Sequence, residues 1–208
     1  VANVWLPGWV ASSWSAIYVV VLLLHAGHLL AMRGRARIWH GSHVVMALGM
    51  LDMSWPGRHM LVRPGAGAVV FGLAAAVALA AAVADRNRRG SGGVVWFIAG
   101  LDLAVMAYMY ALPASAAVTV VCAAWLVAEA TGWAAGRLDG TSSRACEPDP
   151  GRRPAASAGA TTATMAHRRT DALLLRVSMA AMCLGMAYML LAMQFGMAAM
   201  SGMRMRGA

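Results

Sequence analysis

The side chains best suited to chemistry in this chain are histidine and methionine, and they recur at helical spacing. His43, Met46, Met50 and Met53 follow one another by three, four and three residues. At about 100° per residue they fall within about 80° of arc, one narrow helix face. Met179, Met182, Met186, Met189, Met193, Met197 and Met200 form a second stripe of the same kind. Asp102, Met106 and Met109 share a third face, and His25 and His28 stand three residues apart. Thioethers are soft, neutral ligands that favour Cu(I) over hard cations, and imidazole also suits copper. A carboxylate such as Asp102 can orient a liganding histidine through its second ring nitrogen, or pair with one as a structural couple. The candidate metal ligands are therefore His25, His28, His43, Met46, Met50, Asp102, Met106, Met179, Met182 and Met186. Met200, Met203 and Met205 continue the pattern as a capture end, which the charges of Arg204 and Arg206 weaken for a cation.

The same stripes admit a packing reading, because methionine is a flexible filler and a stripe at this spacing is a common helix seam. Three features favour ligation. The stripes coincide with polar groups that are expensive in hydrocarbon; a charge such as Asp102 at the bilayer centre costs about 2.5–3.5 kcal/mol. Methionine reaches 17 residues while isoleucine stops at Ile17, Ile38 and Ile98, an imbalance that a GC-rich codon bias does not produce. The apolar run with no polar residue, near 66–84, has no methionine. Heme is a further cofactor reading: His25 or His28 facing His43 makes an axial pair, with Met as an alternative partner. His40 reads as a solvated helix end, and His59 and His167 as loop residues without a role. Asp52 reads as pairing with Arg58 or water near the outer boundary, and Glu129 as snorkelling to the inner one. No phosphate-binding loop, nucleophile elbow, HExxH or dinucleotide fingerprint is present, so no catalytic set is assigned.

The elements that must position these residues follow from composition. The 208 residues are 61% hydrophobic and 12% charged, which excludes a disordered chain, a coiled coil, a disulfide scaffold and almost any cytosolic enzyme. Six runs are apolar enough to cross about 30 Å of hydrocarbon as helices. They lie near 13–32, 38–55, 66–84, 94–112, 115–135 and 172–195, and Pro56 stops the second. The net charge of +9 comes wholly from arginine, placed between apolar runs, so it reports membrane topology rather than nucleic acid. Twelve arginines fall in the loops after the first, third and fifth runs, and four (Arg58, Arg63, Arg204, Arg206) on the other side. By the positive-inside rule both termini face outward. Trp5, Trp9, Trp14, Trp39, Trp55, Trp96 and Trp133 lie near run boundaries and read as an aromatic belt. Cys122, Cys146 and Cys183 have no CxxC spacing, so neither a disulfide framework nor a zinc site is indicated. Residues 136–170, rich in Gly, Ser, Thr, Ala and Pro, read as a disordered cytoplasmic linker.

The His43-to-Met53 pattern, the Asp102-to-Met109 helix and the Met-striped last helix together resemble an actinobacterial family of uncharacterised small multi-pass membrane proteins with His/Met-rich helices. The resemblance covers nearly all of the chain outside 136–170. It implies a multi-pass inner-membrane protein and carries no activity with it.

The reading is an all-α polytopic helix bundle of six spans with both termini outside. Residues 1–135 form a five-helix region, 136–170 the linker, 171–196 the sixth span and 197–208 an outer Met/Arg tail. It binds or moves Cu(I) in the plasma membrane. The rival is a non-catalytic scaffold or partner subunit whose methionines pack helices. The bilayer is the expected partner; a membrane-protein partner or a homo-oligomer stays open, and nucleic acid is not expected.

Overall fold

The computed structural model describes residues 7–55, 60–89, 93–111, 115–139 and 162–206, with side chains for all of these except 88–89, 162–169 and 197–206. Among the described residues every regular element is a helix. They are α1 (Gly8–Ala31), α2 (Arg35–Ser54), α3 (Pro64–Arg89), α4 (Val94–Tyr110), α5 (Ala116–Ala134) and α6 (Thr162–Arg206). One helix thus occupies each apolar run of the sequence. α6 begins inside the stretch read as a linker, and 140–161 lie outside the described residues. The side chains of Met197, Met200, Met203 and Met205, of the expected outer tail, also lie outside the described set.

The helix ends follow local chemistry. α1 turns into α2 through Gly34, whose φ of 64° lies in the left-handed region where a side chain is strained. This short turn sets α1 and α2 antiparallel and side by side, which brings the histidines of both onto one seam. α2 stops at Trp55, held extended (ψ 119°) by the proline that follows it in sequence. Ser115 caps α5, its side chain accepting from the Val118 N–H.

Consecutive helices pair as three hairpins: α1 with α2, α3 with α4, and α5 with α6. α2 then packs on α4, and α1 on α6, closing the bundle. A side chain at Gly185 of α6 would come within 2.9 Å of the Trp14 ring of α1, so glycine sets how closely these two helices approach. Ionic clasps tie one end of the bundle. Arg35 donates two hydrogen bonds to Asp85 at 2.9 and 2.8 Å, joining α2 to α3, and its guanidinium lies over the Trp96 ring of α4. Arg176 pairs with Asp139, joining α6 to the turn after α5.

The interior and exterior are inverted relative to a soluble domain. His25, His40, His43, Asp102, Thr119, Glu129 and Ser178 are buried. Leu23, Leu30, Ile38, Leu73, Val77 and Val121 are each more than 60% exposed, an outer surface suited to lipid tails. Gly8–Ala31, Pro64–Asn87, Ala116–Ala134 and Thr170–Gly196 are long and apolar enough to cross a membrane. α4 is apolar but has only 17 residues, and α2 carries Arg35, Arg37 and two histidines that lower its hydropathy.

Candidate functional site

The methionines expected as ligands meet in the centre of the bundle. Met46 and Met50 from α2, Met106 from α4, and Met179, Met182 and Met186 from α6 are all at or below 1% exposure and belong to one continuous core. Met109 and Met189 extend it. Their helical spacing explains the convergence, since each stripe is the inward face of its helix. Aromatic and aliphatic neighbours fill the same core, among them Tyr18, Trp39, Phe71, Tyr110 and Leu126.

Four imidazoles stand on the α1–α2 seam. His28 stacks on His40 with ring centroids 4.8 Å apart, His40 lies 5.2 Å from His25, and His25 stacks on His43 at 4.9 Å. The result is a column running from half-buried His28 to fully buried His43. Its hydrogen bonds set the tautomers. The Nδ1 of His43 lies 2.7 Å from the Trp39 carbonyl oxygen, and the Nδ1 of His28 lies 2.8 Å from that of Leu24. A carbonyl only accepts, so both Nδ1 atoms carry the proton and both Nε2 atoms present lone pairs. Between them, His25 Nδ1 and His40 Nδ1 are 3.0 Å apart, one donating to the other. Ser178 of α6 approaches His25 Nε2 at 3.5 Å.

His40 therefore departs from the sequence reading. It is 1% exposed rather than solvated, because Trp39 packs edge-on against it and α1 covers it from the side. Rise along the helix places a residue by depth; lateral cover is set by the neighbouring helix. The signal was its three-residue offset from His43, which puts both on one face.

Asp102 also departs from expectation. Among the described residues no histidine donates to either of its carboxylate oxygens, so it orients none. Instead Asp102, Glu129 and Cys183, from α4, α5 and α6, each bring one ligand atom within 4.8 Å of the others, all three buried. Glu129 does not snorkel to the inner boundary. It faces the bundle, and its Oε1 accepts from the Trp133 indole N–H at 3.0 Å. Trp133 and Trp39 are core residues rather than belt residues, and their rings lie 6.4 Å apart. This indole pair bridges the two polar groups, since the Trp39 ring lies 4.3 Å from His43. Glu129 and Cys183 are the members that the sequence reading missed. The available signal was that two carboxylates sat in neighbouring apolar runs, each needing a partner.

The remaining polar residues are accounted for locally. Asp52 accepts from the backbone N–H groups of Leu61 and Val62 and from the Tyr110 hydroxyl, which pins the chain entering α3. Arg58 and His59, and the side chain of His167, lie outside the described residues, as does Cys146.

A family model described as "Domain of unknown function (DUF5134)" matches residues 35–193. The chain belongs to this family. The DUF5134 match begins at the first residue of α2, so it includes His40, His43, Asp102, Glu129 and Cys183, while His25 and His28 on α1 precede it. No curated protein and no solved structure matches the chain.

Proposed function

We propose that this DUF5134 protein is a six-span plasma-membrane protein that binds or moves Cu(I) through its intramembrane His/Met layer, with both termini on the outer face. The observation that carries the reading is the tautomer fixing in the imidazole column. Backbone carbonyls hold the Nδ1–H of His28 and His43, which leaves the Nε2 lone pairs as ligating atoms. The column leads from the half-buried end of the seam to Met46, one turn beyond His43 on α2, and so to the methionine core. Neutral imidazole and thioether groups accept a monovalent ion without leaving a fixed charge in hydrocarbon, as movement through a bilayer requires. The side chains of His25 and His40 complete the donor set, together with Met50, Met106, Met179, Met182 and Met186.

The orientation and the two further spans, α2 and α4, draw on the arginine distribution. The Arg35–Asp85 and Arg176–Asp139 clasps share the end of the bundle that carries the arginine-rich loops. The face-to-face stack of His25 and His43 favours a small ion over heme, since 4.9 Å between stacked rings admits no porphyrin. The full enclosure of the methionines among apolar side chains favours the second reading, a scaffold packed by thioethers.

The test is a titration of the full chain in detergent with Cu(I), under reducing conditions and against a competing colorimetric chelator. Retention of at least about one copper per chain is expected from the number of free imidazole lone pairs. Retention of clearly less would leave the packing reading in its place.

A further inference from the structure

A second polar group in the interior has a donor set of a different character. We infer that Asp102, Glu129 and Cys183 form a cation site of their own, separate from the imidazole column, that takes a borderline divalent ion of the Zn(II) class. The inference does not rest on the copper reading, since it uses other residues and another metal.

The three donors come from three helices, α4, α5 and α6, and converge on one point in the interior. Their ligand atoms lie within 4.8 Å of one another. An ion with bonds of about 2.3 Å to sulfur and about 2.0–2.2 Å to oxygen joins such a set after small side-chain rotations. Asp102 is fully buried, and neither of its oxygens has a donor at hydrogen-bonding geometry, with Glu129 and Trp125 as polar neighbours. The second oxygen of Glu129 is likewise buried and unpartnered. Among the described residues no basic side chain forms an ion pair with either carboxylate. Buried carboxylates are ordinarily paired, hydrogen-bonded or bound to a metal, and a group left open on this scale has a missing partner. The indole N–H of Trp133 holds only Oε1 of Glu129, which fixes the carboxylate and leaves Oε2 free.

The donor types select the ion. A thiolate does not suit magnesium or calcium, which take oxygen ligands. Two carboxylates do not suit Cu(I), which prefers sulfur and imidazole. A mixed oxygen and sulfur set suits Zn(II) and its spectroscopic substitute Co(II). Such an ion also offsets the negative charge that the three groups carry when ionised.

The experiment uses the purified full chain in detergent, titrated with Co(II) and then challenged with Zn(II). One equivalent of Co(II) is expected to give a thiolate-to-metal charge-transfer band that Zn(II) abolishes. Cys183→Ala should remove the band while Cys122→Ala keeps it. Asp102→Asn should weaken binding by more than about 100-fold, beyond the range typical of a supporting residue. Trp133→Phe, which loses the hydrogen bond to Glu129 together with part of the ring, should weaken binding by about 10-fold. Cu(I) binding should persist in Asp102→Asn and Cys183→Ala, so failure here is distinguishable from failure of the copper reading. The inference is overturned if the full chain gives no charge-transfer band. It is equally overturned if Asp102→Asn and Cys183→Ala, shown folded by their circular dichroism, bind as the parent does. In that event the two carboxyls simply share a proton.

Discussion

The imidazole column and the carboxylate–thiol group are both polar clusters buried in an apolar bundle, yet they are satisfied in opposite ways. In the column, His28 and His43 donate to backbone carbonyls one turn earlier, and His25 and His40 bond to each other. Apart from the Ser178 contact to His25, its hydrogen bonds close within two neighbouring helices. In the other group Trp133 donates to one oxygen of Glu129, and three carboxylate oxygens have no donor at hydrogen-bonding geometry, only one another, Cys183 and Trp125 nearby. The contrast teaches that burial alone does not mark a ligand site. A cluster can be stable when empty if its donors and acceptors pair internally, whereas an unpaired one needs a proton or an ion to be stable at all.

The comparison breaks first if the column is removed. Replacing His25 and His43 together by alanine takes out two enclosed rings and the stacking between them. Cu(I) affinity should fall by at least about 100-fold, a loss of roughly 2.7 kcal/mol. Chelator competition measures it. Co(II) binding at Asp102, Glu129 and Cys183 should stay within about two-fold of the parent, because no histidine contributes a donor there. A fall in both affinities together would mean that the two groups act as one site.

The next largest effect concerns stability without metal. Asp102→Leu replaces an unpartnered carboxylate by an apolar side chain of similar length in a fully buried position. The metal-free protein should gain about 1–2 kcal/mol, since removing a buried, unsatisfied polar group is commonly stabilising. Denaturant or thermal unfolding in the same detergent checks it. His43→Leu supplies the contrast and should lose stability, because it removes a made hydrogen bond to the Trp39 carbonyl and breaks the ring stack. Equal effects of the two substitutions would erase the distinction between a closed and an open cluster.

Much of the frame was legible in the sequence because it depends on patterns within one helix. Apolar run length marked all six helices, and the pre-proline position of Trp55 marked the end of α2. The methionine stripes pointed inward because a period near 3.6 can face only one way. What stayed hidden depends on relations between helices. His40 was placed by its distance from the helix start, which says nothing of the cover that α1 and Trp39 provide. Trp39 and Trp133 sit near run ends, as belt residues do, yet tertiary packing takes both inside. Cys183 follows Met182 directly, so it points about 100° away from the methionine stripe and toward α4 and α5. No spacing rule joins Asp102, Glu129 and Cys183 across 81 residues of sequence, and only the hairpin order of α3–α4 and α5–α6 brings them together.

The smallest expected change in stability is also the sharpest test of what the methionines do. Met46 and Met186 are both fully buried and come from different helices. Leucine has nearly the same volume and similar helix propensity, so Met46→Leu and Met186→Leu should each cost under about 1.5 kcal/mol. Packing is thus nearly held constant while the sulfur is removed. If thioethers ligate, Cu(I) binding or release should weaken several-fold in the double variant although its unfolding curve barely moves. If they only fill space, both measurements should stay where they were, because a leucine occupies the same gap. An effect on unfolding without an effect on copper would point to shape rather than sulfur. The column would then hold the ion by imidazole alone, and the methionine core would be the wall of the site rather than part of it.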